Sequence, residues 1–164
     1  PVNTTHLFMD KDQISSLQGT EFDGLRSLAT LELSRNQISG LAFGIFKNLV
    51  NLQTLVLSTN QLSSFRGDEF DDLRSLTALF LEHNSISSLP VGIFKDLVNL
   101  KVLGLHHDSL SSLPAGIFKD KVNLQSLFLE NNQITSLPVD IFKDQRNLQT
   151  LTLQQNRFTL SEDL

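Results

Sequence analysis

Glu82, His106 and Glu130 stand 24 residues apart, a carboxylate on either side of an imidazole. Brought to one surface, these groups could hold a polar or cationic ligand, the ring donating or accepting and the carboxylates accepting. Two flanking carboxylates favour the charged imidazolium, so ligand binding is expected to change between mildly acidic and neutral buffer. His83, His107 and Asp108 add further groups of the kind zinc accepts. His106 and His107 are neighbours, however, and on a continuing strand they point to opposite sides, a poor arrangement for two ligands of one ion. A carboxylate-flanked histidine is the better reading, and no metal or other cofactor is expected. Catalysis is not expected either. The chain has no cysteine, no Gly-rich phosphate loop and no serine placed beside a histidine, and acid pairs on an open sheet lack an enclosing pocket.

The interval of 24 belongs to the whole chain. A frame Leu-x-x-Leu-x-Leu-x-x-Asn-x-(Leu/Ile/Phe) opens at Leu28, Leu52, Leu76, Leu100, Leu124 and Leu148, and a degenerate copy opens at Thr4 with Leu7, Met9 and Ile14. Self-similarity at this period marks a leucine-rich-repeat solenoid. The expected fold is of the α/β repeat type. It is a curved horseshoe with a parallel sheet on the concave side and an irregular or 3-10 convex side. Residues 1–164 form one solenoid of units beginning near 4, 28, 52, 76, 100, 124 and 148, without cysteine-rich caps. In Ala78-Leu79-Phe80-Leu81-Glu82 the alternation sends both leucines inward and the other three side chains outward.

Each remaining slot has a task. Asn36, Asn60, Asn84, Asn132 and Asn156 recur where the strand turns, and stacked amides can satisfy the backbone there. Asp12 and Asp108 interrupt that column. Either the repeat has drifted, or Asp108 pairs with a nearby histidine. Phe22, Phe46, Phe70, Phe94, Phe118 and Phe142 form a spine under the return segments. Leu25, Leu49, Leu73 and Leu97 make a parallel column that fails at Lys121 and Gln145. The convex core is therefore expected to thin toward the C-terminal end, with the Lys121 stem along apolar neighbours. Asp23, Lys47, Asp71 and Lys95 alternate in sign on successive units, which suits exposed cross-repeat ion pairs of about 0–1 kcal/mol each.

The outward strand positions vary while the return segments are near copies, as a recognition surface made from repeated modules requires. Phe8, Phe80 and Phe128 are candidate aromatic anchors, unless they serve to cover one another across the sheet. Glu82, His106 and Glu130 form the central strip, Asp10 and Glu32 add negative charge toward the N-terminal end, and Asp108 lies nearby. Lys11, Arg35 and Lys101 confine the acidic field to that strip. A net charge of −5 argues against nucleic acid, which needs a basic surface. No apolar run is long enough to span a membrane.

The motif Leu-x-x-Leu-x-Leu-x-x-Asn-x-Leu-x-x-Leu-Pro-x-x-x-Phe-x-x-Leu resembles the 24-residue typical leucine-rich repeat of extracellular animal proteins. Leu89-Pro90-Val91-Gly92-Ile93-Phe94-Lys95-Asp96-Leu97-Val98-Asn99-Leu100 looks most like the variable lymphocyte receptors of jawless vertebrates, with Toll-like receptor ectodomains more distant. The resemblance implies a secreted or cell-surface module that binds a protein or carbohydrate antigen, for instance on a bacterial surface. A structural or adhesion role, with homodimerisation, is the alternative. Those families carry cysteine caps that this chain lacks, so its cysteine count does not argue for the cytosol. The sequon Asn3-Thr4-Thr5 agrees with an extracellular setting.

Overall fold

The computed structural model describes residues 3–159. Seven three-residue strands, each starting 24 residues after the last, are β1 His6–Phe8, β2 Thr30–Glu32, β3 Thr54–Val56, β4 Ala78–Phe80, β5 Val102–Gly104, β6 Ser126–Phe128 and β7 Thr150–Thr152. They form one parallel sheet in chain order. Each residue pairs with its own repeat equivalent, as Leu55 with Leu79 and Val56 with Phe80. A parallel pair needs a long crossover, and the return segment of each unit supplies it. Of the two convex options, irregular is the one found: among the described residues the return segments are turns and bends, with no helix.

Leu31, Leu55, Leu79, Leu103 and Leu127 are fully buried, as are Leu33, Leu57, Leu81, Leu105 and Leu129 two residues on. The phenylalanine spine is buried from Phe22 to Phe118. Its rings stack at centroid spacings of 6.2 Å (Phe22–Phe46), 6.5 Å (Phe70–Phe94) and 6.1 Å (Phe118–Phe142). Strands sit only about 4.8 Å apart. A core wider on the aromatic side than on the strand side bends the stack with the strands inside.

The asparagine column forms as read. Asn132 is typical: its Oδ1 accepts from Leu110 N, while its Nδ2 donates to the carbonyls of Leu105, Leu129 and Glu130. A second ladder was not anticipated. One residue before each unit's first leucine, Asn51, Ser75, Asn99, Asn123 and Asn147 donate to the carbonyls of Arg26, Val50, Arg74, Val98 and Val122. The recurring Asn-Leu pair carried that signal.

The convex core thins toward the C-terminal end, where Leu137, Phe142 and Leu148 are only partly buried. Lys121 and Gln145 are themselves buried, with Lys121 Nζ donating to Lys119 O and Gln145 Nε2 to Phe118 O. Burial holds the Lys121 amine below its ordinary pKa, against the pull of Asp120 and Asp96. The alternating charges yield one of the expected cross-repeat pairs, Lys95–Asp71 at 2.5 Å, and Arg74 reaches Asp96 at 3.5 Å. Asp23 instead accepts from Asn48.

Candidate functional site

The candidate site residues lie on the outward rows of the sheet. Phe80, Gly104 and Phe128 are register partners on β4, β5 and β6. Glu82, His106 and Glu130 follow two residues beyond, each partly exposed. These residues therefore share one band across the three strands. Gly104 gives the band its shape. A Cβ there would lie 2.7 Å from Glu82 Oε2 and 3.3 Å from Phe80 Cδ1. Glu82 thus leans diagonally over the next strand, into space that only glycine leaves. Glu130 leans the same way and accepts from the Thr152 hydroxyl. Gly104 offers Glu82 no such donor, and Glu82 Oε2 has no hydrogen-bond partner among the described residues. Burial pushes the Glu82 carboxyl above its usual range, with Glu32 and Glu130 adding to the rise.

The imidazole behaves against expectation. Burial, more than any charge, holds His106 below its ordinary pKa; Glu130 pulls it up, while His107 and His83 push it down. No ion pair joins His106 to either glutamate among the described residues, and its Nδ1 is buried without a partner. Its ring packs edge-on to Phe128 at 5.6 Å. Burial thus favours the uncharged ring at the centre of the strip, because the desolvation cost exceeds the attraction of one nearby carboxylate.

His106 and His107 do not diverge. The strand ends at Gly104, and the backbone is left-handed at His107 (φ 55) and at its equivalents Lys11, Arg35, Thr59, His83, Asn131 and Gln155. That turn swings His107 back, so its ring lies 5.6 Å from His106 and stacks on His83 at 4.4 Å. The strained turn still meets its hydrogen bonds, for His83 N donates to His106 O and His107 N to Glu130 O. Even so, among the described residues no group of histidine and acidic side chains is disposed to hold a metal ion.

The other candidates lie apart. Asp108 pairs with no histidine and does not face outward; 9% exposed, it occupies the asparagine column and accepts from Asn84 N and Ile86 N. Glu32, on β2, accepts from Ser34 N. Asp10 is exposed just past β1, and Phe8, 66% exposed, stacks on His6. Phe8 is thus separate from the Phe80–Phe128 band.

A stack of short parallel strands, closed by leucines behind and open in front, is a binding scaffold in form. The chain belongs to the leucine-rich-repeat family, which it matches at residues 26–86, 75–134 and 122–163. Among solved structures it is similar to TLR13 in a complex with single-stranded RNA, at 28% identity and TM-score 0.91, covering 97% of this chain and 22% of that one. It is also similar to an internalin of Listeria monocytogenes, at 28% identity and TM-score 0.78, covering 95% of this chain and 43% of that one. The chain thus spans about a fifth of the first and under half of the second. No curated protein matches it in sequence. Because a structurally similar protein occurs in a complex with single-stranded RNA, the net charge of −5 does not by itself exclude nucleic acid. Among the described residues no helix is long and apolar enough to cross a membrane.

Proposed function

We propose that the chain is the recognition surface of an extracellular, immune-type receptor, and that its open sheet face binds a protein antigen through that antigen's basic side chains. One observation carries this reading. The three outward positions of each unit, the two on its strand and the one two residues past it, hold Asp10, Glu32, Glu82 and Glu130 across the seven units and no lysine or arginine. A curved face with charge of one sign focuses its field on a partner of the other sign. Glu82 and Glu130 are the polar contacts, His106 a neutral donor or acceptor between them, and Phe80 and Phe128 the apolar anchors. Aromatic walls beside a carboxylate also suit a lysine or arginine, which gains from the ring faces. Likeness to TLR13 supports the receptor setting, and the variable-lymphocyte-receptor motif supports an antigen on a microbial surface. The same charges disfavour RNA on this face, and two copies meeting face to face would repel.

The test is selection of a random peptide library on the immobilised protein, in parallel with the Glu82→Gln, Glu130→Gln double variant. Wild type is expected to enrich peptides rich in lysine, arginine and aromatics, and the variant to lose that enrichment. Equal enrichment on both proteins would move the site elsewhere. Binding of a carbohydrate array or single-stranded RNA with no peptide enrichment would overturn the choice of ligand.

A further inference from the structure

The asparagine column has one rung made of a different chemical group, and the surrounding bonds define what that group must do. At each ordinary rung the side-chain oxygen accepts from the backbone N–H 22 residues earlier, while the side-chain nitrogen donates to carbonyls 27 and three residues earlier. Asp108 keeps the accepting half: its Oδ1 takes Ile86 N, 22 residues back, and Asn84 N, 24 residues back. Asn36 receives the same two bonds, from Ile14 N and Asp12 N. By that match Asp108 Oδ2 takes the place of the amide nitrogen, and the carbonyls 27 and three residues earlier are those of Leu81 and Leu105. Oδ2 is buried and has no hydrogen-bond partner among the described residues. A carboxylate there would set oxygen against oxygen, whereas a carboxylic acid carries a hydrogen to donate.

We propose that Asp108 is a protonated carboxylic acid in the folded protein, that its Oδ2–H replaces the missing amide donor, and that this proton fastens the turn directly behind the His106 strip. The charges around it agree. Glu82 from the preceding unit opposes ionisation, while the neighbouring imidazoles His83, His106 and His107 form no hydrogen bond to Asp108 that could stabilise its anion. Glu130, from the following unit, is also acidic. Burial, the largest influence, pushes the Asp108 carboxyl up to about 8, against the two backbone bonds that lower it. An acid whose folded pKa lies above its unfolded value holds its proton longer in the folded state. Its contribution is therefore complete below about 4, declines as pH rises, and is lost once pH passes about 8. The rung is a pH-sensitive catch at the centre of the sheet, closed in acid and released in alkali.

The experiment compares wild type, Asp108→Asn and Asp12→Asn by thermal melting from about pH 4 to pH 9, with carbon-detected NMR of the aspartate carboxyls. Asp108→Asn supplies the ordinary rung, so it should fold. Titrations shared by all three proteins cancel in the differences. The Asp108→Asn protein is expected to match wild type near pH 4 and to gain roughly 10–20 °C over it by pH 8, with little further gain above. Asp12, in the same slot but exposed, should show no such divergence. The carboxyl signal that disappears in Asp108→Asn should titrate near 8 rather than in the ordinary aspartate range. Parallel melting curves for wild type and Asp108→Asn, or an Asp108 carboxyl that titrates near 4, overturn the proposal.

Discussion

Gly104 is where shape and charge meet on this surface. The missing side chain leaves room for Glu82 to lean over the next strand, so Gly104→Ala forces a 2.7 Å contact to relax by moving the carboxylate. Peptides selected on wild type are expected to bind Gly104→Ala about tenfold more weakly, measured by titration calorimetry, with stability changed by about 1 kcal/mol or less. Affinity at this strip should also fall on acidification. Glu82 takes up its proton above the usual carboxylate range, which removes the charge a basic partner needs. His106 becomes cationic only below its ordinary range, adding repulsion at still lower pH. The sequence revealed the row of Glu82, His106 and Glu130 because the repeat interval fixes position. It did not reveal their charge states, because burial depends on which neighbour leans over which, and Gly104 decides that.

At the scale of the element, the turn after each strand combines strain and satisfaction. Seven equivalent residues adopt a left-handed backbone, among them β-branched Thr59 at φ 54. Left-handed geometry costs an ordinary residue about 1–2 kcal/mol, and asparagine less. Asn131 already occupies the equivalent position, so Thr59→Asn is expected to raise stability by about 1 kcal/mol in urea unfolding. Asn132→Ala does the opposite. It strips donors from Leu105, Leu129 and Glu130 and an acceptor from Leu110 N, and should cost about 3 kcal/mol or more in the same assay. Strand positions and the first amide ladder were legible, since alternation and a recurring asparagine each point to one physical role. The left-handed turn was not legible, because residues as different as Lys11, Thr59 and His107 fill it and no glycine marks it. Hence the convergence of His83, His106 and His107 went unseen.

For the molecule as a whole, each unit touches only its neighbours, so stability is carried by shared interfaces along the stack. Phe94 lies in the buried spine and stacks on Phe70; Phe94→Ala is expected to cost about 3–5 kcal/mol, read from urea unfolding. The central claim is that ligand recognition occupies the strand side of this curve and not its back, where Phe43 and Val139 are 79% and 89% exposed. Hydrogen–deuterium exchange with a library-selected basic peptide tests it most directly. Slowed exchange is expected at residues 78–84, 102–108 and 126–132. Protection confined to the convex row of Phe43, Val91 and Val139 would contradict it.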